Sequence, residues 1–435
     1  MLKRIFFLGT IWRLVSAFWG QHSDIVNYYW WSKDLLLNGM NGFYDRNIVN
    51  AMRATYPPIT SYIFWLNGVI HEMIWKILWF INLKVSFFPS NLIFWWESKL
   101  GWYYLNKLPA IIADVGIAYV LYKIVAYLRN KRLGILAAGL FMFLPPFWYS
   151  SAIWGQTDSL FILPMLLSIY FLIKGNHYGA IILYGISIFT KPTALFIAPV
   201  FLLWWLKGRS FKEILNSITI LVVGMLLLYL PFHPNNTLSW VFQFYNLSLK
   251  GELFYINANA FNLWGLLYGF KEVSYKIQIL QIPLYVWGYA LYIMSLVLVV
   301  YKIISAKIIN NNLWLLALTT SSFGAFMFLP AMHERYFYPT IVLFVILVML
   351  YKELGRIFWP VIFIYFVNLY HLWWYPNVPI LVNLFSNLYI EKLFIFINIY
   401  LYSYMFIFTL LHFRRSNGIN FFEKLLGAIR DRHYR

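Results

Sequence analysis

Apolar runs long enough to enter a membrane recur along this chain, and its basic residues cluster in links between them. A helix needs about 20 apolar residues to cross a bilayer, and a soluble domain carries no such series. Of 435 residues, 62% are hydrophobic and only 11% charged, so a soluble enzyme is excluded. The runs are continuous rather than alternating, which also excludes a transmembrane barrel. The expected fold is an all-α integral membrane protein, a single polytopic domain over 1–435.

Twelve runs read as spans: 5–19, 101–128, 133–149, 159–173, 178–190, 193–206, 214–230, 282–301, 313–329, 337–351, 357–374 and 393–413. Several are shorter than 20 residues, which implies tilted or short helices. A signal peptide is the other reading of 5–19, but Arg13 interrupts its apolar stretch, as signal cores rarely allow. Basic residues at 129–132 and 207–212 and in a tail over 414–435 follow the positive-inside pattern. The net charge of +19 therefore sets orientation and does not call for nucleic acid. Both termini fall on the cytoplasmic side. Residues 20–102 and 231–280 become extracytoplasmic loops, the first with a polar-faced segment, 61–81, suited to a helix lying at the interface. Cysteine is absent, so there is no disulfide framework. Neither a Gly-rich phosphate loop nor zinc-spaced histidines occur, and no metal ligands are assigned.

Among so few charges, the run His333-Glu334-Arg335 between two apolar stretches stands out. An ionisable group at bilayer depth costs about 2.5–3.5 kcal/mol on insertion scales, so such residues usually line a site. A solvated turn is the alternative. In the twelve-span arrangement Asp24, Gln156, Asp158, Lys191 and the 333–335 run all fall on the outer face. Asp114 lies in the outer half of the second span, seven residues from Lys107 and on the same helix face. Asp24 suits a general base, but taken alone it reads first as a helix cap, since Ser23 or Asp24 precedes a helical pattern. Asp158 divides evenly between ligand contact and capping. Lys191 either snorkels outward or binds an anion.

In this order the motifs resemble the GT-C membrane glycosyltransferases, and among them the mannosyltransferases related to the enzyme that adds the second mannose of GPI anchors. The resemblance rests on Asp24 with Trp31 and Tyr56-Pro57-Pro58, Lys107-Leu108-Pro109 with Asp114, and Trp154-Gly155-Gln156 with Asp158. It continues through Lys191-Pro192-Thr193-Ala194-Leu195, Asn259-Ala260-Phe261-Asn262-Leu263-Trp264 and His333-Glu334-Arg335-Tyr336. It spans residues 20–340. It implies a GT-C-like bundle and inverting transfer of a hexose, mannose first, from a polyprenyl-phosphate donor. The acceptor is a hydroxyl of a glycolipid or glycan on the extracytoplasmic face of a plasma or ER-type membrane. Asp24 is then the base, and Arg335, Lys191 and Lys107 hold the donor phosphate. Asp114, Gln156, Asp158, His333, Glu334 and Trp264 contact substrate. Family members often carry a second loop acid, which Asp34 or Asp45 does not clearly supply here, so a divalent metal stays open. A twelve-span layout also fits a secondary transporter or lipid-linked sugar flippase, although no repeat relates the two halves.

Overall fold

The computed structural model describes residues 1–250 and 254–416, so the basic tail beyond 416 lies outside the described residues. The chain is helical almost throughout and divides into two compact units where one domain is expected. The first takes in Met1–Leu195, Trp205–Glu252 and Leu369–Val382; the second takes in Phe196–Trp204, Leu253–Asn368 and Asn383–Arg435. No Gly- or Pro-rich linker marks any crossing, which is why the division does not show in the sequence.

In the first unit α1 (Leu2–Ser16) leads through a short corner to α2 (Ser23–Asn38). The expected loop over 20–102 is mostly helix. After α2 come α3 (Pro58–Lys84) and α4 (Ser90–Glu97). α3 buries Thr60, Ser61, Phe64, Asn67, Gly68 and His71, one face at helical spacing. The central element is α5 (Lys99–Leu128), buried along much of its length. α6 (Lys131–Phe143) and α7 (Pro145–Trp148) follow, then a π-helical turn, Tyr149–Trp154. α8 (Asp158–Ile173) packs on α5, and α9 (His177–Thr190) packs on α8. α10 (Ala198–Leu206) carries the chain across the boundary between the units. α11 (Phe211–Tyr229) and α12 (Thr237–Lys250) return to the first.

The starts of these helices are written in the sequence. Asn130 accepts from Leu133 N at 2.9 Å, Asn176 from Gly179 N at 2.9 Å, and Ser210 with Glu213 forms a reciprocal capping box.

The second unit holds β1 (Asn257–Ala258), α13 (Leu263–Tyr268), the hairpin β2 (Gln278–Ile279) with β3 (Ile282–Pro283), and α14 (Leu284–Ser305). Next come α15 (Asn311–Phe328), β4 (Met332–His333), α16 (Tyr338–Leu350) and α17 (Gly355–Tyr370). α18 (Pro379–Phe385) meets the boundary and α19 (Leu388–Ser416) closes the unit. α15 is its axis, buried on every side from Leu313 to Met327. In lipid, helices are not driven together by the hydrophobic effect, so packing and interhelical hydrogen bonds decide. α15 uses hydroxyls for this: Ser322 meets Thr340 of α16 at 2.8 Å, and Thr320 meets Thr409 of α19 at 2.7 Å.

Among the described residues, α5, α11, α14 and α19 are long and apolar enough to cross a membrane. α6 with the segment to Trp154, bent by 52°, makes a fifth. The remaining expected spans are short helices. α8 and α9 have 16 and 14 residues, which at ~1.5 Å per residue fall short of a ~30 Å hydrocarbon core. The protein is thus a helical membrane-type protein with four or five membrane-length helices.

Candidate functional site

The first unit builds its site around the corner between α1 and α2. Lys107, on α5, is buried there, and its ammonium donates to three carbonyls: Ala17 at 3.0 Å, Trp19 at 2.8 Å and Gly20 at 2.8 Å. An ammonium has three N–H groups, and all three are used. The expected phosphate contact of Lys107 is therefore corrected: it caps the end of α1 and fixes the path of the chain into α2. Gly20 sits at φ 76°, where an added Cβ would come within 2.6 Å of the Ile153 carbonyl. Its N–H donates to the Tyr375 hydroxyl at 2.9 Å.

Held this way, His22 becomes the N-cap of α2 and Asp24 falls in its first turn. His22 Nδ1 accepts from the Asp24 backbone N–H at 3.2 Å and stands 3.2 Å from Asp24 Oδ2. The Gln156 amide donates to the same oxygen. Gln156 reaches it because the π-helical turn ends at Gly155, in the left-handed region at φ 85°. A Cβ at Gly155 would meet Ile25 at 2.9 Å and Lys107 at 3.2 Å, so only glycine lets the turn approach α2 and α5 this closely. The His22 ring lies 4.5 Å from Trp154 and 5.2 Å from Trp373 between centroids. The Asp24 side chain keeps 20% of its surface exposed.

Asp158 and Lys191 form a buried ion pair. Asp158 opens α8 and Lys191 follows the last residue of α9, so each charge also complements a helix dipole. Lys191 lies 5.6 Å from the Tyr56 ring centroid, and the Tyr56 hydroxyl is 3.0 Å from that of Tyr28 on α2. The motifs at 24, 56, 156, 158 and 191 thus share one unit in two sets, Asp24 with Gln156, and Asp158 with Lys191 and Tyr56. Trp154 Nε1, Gln156 Oε1, Thr157 Oγ1 and Asp158 Oδ2 are buried without a hydrogen-bond partner among the described residues. Buried polar atoms are rarely left so.

Asp114 belongs to a different arrangement. It is fully buried; Oδ2 accepts from Arg13 Nε at 2.7 Å and Ser151 Oγ at 2.6 Å, and Oδ1 from Ser159 Oγ. Arg13 also donates to the carbonyls of Met142 at 2.6 Å and Phe141 at 3.2 Å. The carboxylate expected at substrate is saturated by protein donors and locks α1, α5, α6 and α8 together. Asp34 is likewise engaged, by Arg46 at 2.7 Å, in closing the turn after α2.

The second unit carries the 333–335 run. Parallel pairing of β1 with β4 sets it, and Ala331 N–H donates to Ile256 at 3.0 Å. Four asparagines hold the 257–264 loop beneath it. Asn368 accepts from Phe261 N at 3.0 Å, Asn398 donates to Phe261 O at 2.7 Å, Asn262 donates to Phe326 O at 3.1 Å, and Asn257 accepts from Ala260 N at 3.0 Å. Arg335 stands 3.3 Å from the buried Glu334 carboxylate and 3.5 Å from His333 Nδ1. Trp264 is buried, with its N–H spent on Phe328 O at 2.7 Å. Its expected place against substrate is corrected: it is a strut under the run, with no open ring face.

Sequence reasoning passed over His22, Trp373 and the partnership of Arg13. Arg13 had a readable signal, since a cation inside an apolar helix requires an acid nearby. Trp373 had none, because its segment lies more than 200 residues from the turn it packs on. Among the described residues no three His, Asp or Glu side chains gather as a metal site would require. Neither protein-family models nor curated protein sequences give a match to this chain.

Proposed function

We propose that this protein is a membrane glycosyltransferase that moves a hexose, mannose first, from a polyprenyl-phosphate donor to a hydroxyl of a glycolipid or glycan at the extracytoplasmic face. The observation that carries the reading is the contrast within one unit between Asp24 and its fellow acids. Asp114 and Asp158 are buried against Arg13 and Lys191, whereas Asp24 keeps part of its surface and is met by the His22 ring and the Gln156 amide. A carboxylate so placed suits removal of a proton from an attacking hydroxyl.

In this mechanism the acceptor oxygen attacks the anomeric carbon as Asp24 takes its proton, and the sugar–phosphate bond breaks with its electron pair leaving on the phosphate. The resemblance, and not the geometry, assigns that phosphate to Arg335 of the second unit, whose guanidinium can grip two of its oxygens. Lys191, already paired with Asp158, adds positive charge only as part of that pair. The test uses the purified protein in vesicles with a polyprenyl-phosphate-mannose labelled in the sugar. Label appearing in a glycolipid or glycan product supports the reading. Label that stays on the polyprenyl lipid but changes leaflet would replace it with a flippase.

A further inference from the structure

We propose that the β2–β3 hairpin is a lipid wedge, a tip that enters the bilayer at the boundary between headgroups and acyl chains. The inference concerns the second unit alone and does not depend on the glycosyltransferase reading.

The hairpin turns on Leu280 and Gln281, between Gln278–Ile279 and Ile282–Pro283. Both turn residues lie in the left-handed region, at φ 51° and 63°. Two-residue turns with this backbone favour asparagine or glycine, because a larger side chain crowds its own main chain there. A leucine in such a place needs a compensating contact. Leu280 is 81% exposed, so packing on the described residues does not supply one. Ile277, Ile279 and Ile282 are exposed beside it, and no charge interrupts 277–283.

The tip is not a loose loop. Below it, Tyr275 N–H donates to Phe254 O at 3.0 Å and Ile256 N–H to Val273 O at 2.8 Å. Leu284 N–H closes the base on Ile277 O at 2.8 Å, and the Trp287 indole N–H donates to Ile279 O at 3.3 Å. Four apolar side chains are therefore held out in fixed positions, and something apolar must cover them.

Two features point to lipid as that cover. The first is continuity with a membrane-length helix: α14 begins at Leu284, directly after the hairpin. Its 22 residues, at ~1.5 Å each, make about 33 Å, close to the ~30 Å hydrocarbon core, so its first turn falls at the edge of that core. The second is aromatic. Tyr285 lies 5.6 Å from Tyr275 and 6.5 Å from Tyr289 between ring centroids, and Trp287 is bonded to the hairpin itself. Tyrosine and tryptophan gather at headgroup level, where their polar tips stay wet and their rings do not. An uncharged apolar tip at that level fits the interface, where short apolar segments bury side chains without crossing.

The chain has no cysteine, so Leu280→Cys can be labelled at one position with an environment-sensitive nitrobenzoxadiazole dye. The labelled full-length protein is placed in phosphatidylcholine vesicles with iodide on both sides of the membrane. Glu272→Cys, at an exposed position of the same loop, is the reference. Emission at 280 should be shifted to the blue of the reference. Lipid carrying a nitroxide near the headgroup end of its acyl chain should quench the label at 280, and iodide should quench the reference alone. Iodide quenching at 280 equal to that of the reference overturns the proposal. So does a label shielded from iodide and lipid nitroxide alike, since protein, from a second copy or from elsewhere in the chain, then covers the tip. If Leu280→Cys melts earlier than the wild type, Ile282→Cys is read by the same criteria.

Discussion

Asp114 and Asp24 lie in the same unit and both answer to the α1 end of it, yet they are held in opposite ways. Asp114 has no exposed surface and three side-chain donors, Arg13, Ser151 and Ser159. Asp24 keeps a fifth of its surface and is met by His22 and Gln156. The difference separates two reasons for an acid to persist in an apolar chain. One neutralises a buried cation and fastens helices; the other, in the proposed reading, meets the acceptor hydroxyl. Lys107 and Arg335 also differ, the first saturated by carbonyls and the second beside Glu334 with 13% of its side chain exposed.

Breaking the saturated pair should have the largest effect. Arg13→Met leaves the Asp114 carboxylate buried without its cation, a loss of about 3–5 kcal/mol by the usual cost of splitting a buried pair. Thermal unfolding in detergent should show it as a collapse of the folded fraction. Arg13→Met with Asp114→Leu should recover much of it. A single variant as stable as wild type would place Asp114 among the available acids.

Lys107→Met comes next. It strips the donor from three carbonyls, each worth about 1–3 kcal/mol when left buried and unsatisfied, partly offset by relaxation. The melting temperature should drop while the apparent constant for donor stays put. The reverse pattern would return Lys107 to the phosphate.

On the open side, Arg335→Ala should raise the apparent constant for a polyprenyl-phosphate-sugar by about tenfold or more, as expected from hydrogen bonds to a charged group worth about 1.5–3 kcal/mol. Arg335→Lys should fall between, keeping charge but losing the fork. Equal, wild-type affinity in both would make the 333–335 run a structural turn.

The smallest effect concerns His71 on α3, stacked between Trp96 and Trp102 and bonded to the Trp96 carbonyl at 2.8 Å. Burial lowers its pKa below the ordinary 6.5, against a smaller opposing effect of that hydrogen bond. The unfolded chain then binds the proton more readily, so stability is full above the ordinary value and is lost as pH falls through the folded one. His71→Phe should flatten this acid slope in melting curves and change little at neutral pH. An unchanged slope would assign it to other groups.

The sequence made the helices legible and their uses only partly so. Apolar runs with Asn or Ser before them located α5, α6, α9, α11 and α15 within a few residues, because caps and periodicity are local. Residues 20–102 were harder: α3 mixes Asn67, His71 and Glu72 into an apolar pattern, and its buried face makes sense only once α2 and α5 are packed on it. Of the twelve expected spans, four or five coincide with helices long and apolar enough to cross a membrane, because apolar character and membrane length are separate properties, as α8 and α9 demonstrate. For the candidate site, residue types did not separate one role from another. Lys107 and Arg335 look alike as isolated cations in a sequence; which one is saturated depends on three carbonyls contributed by a corner almost 90 residues away. The same holds for Asp114, whose partner Arg13 is 101 residues distant.

The central claim is that Asp24 is the working acid and Asp114 the fastened one. It is tested most directly by measuring sugar transfer and donor binding in parallel for Asp24→Asn and Asp114→Asn, with melting temperature as the control. Asp24→Asn should fold and bind donor as wild type does while its turnover falls by about a hundredfold or more. Asp114→Asn should lower the melting temperature, and the protein that remains folded should turn over at close to the wild-type rate. Near-normal turnover in Asp24→Asn, or a stable Asp114→Asn protein that has lost turnover alone, would contradict the account.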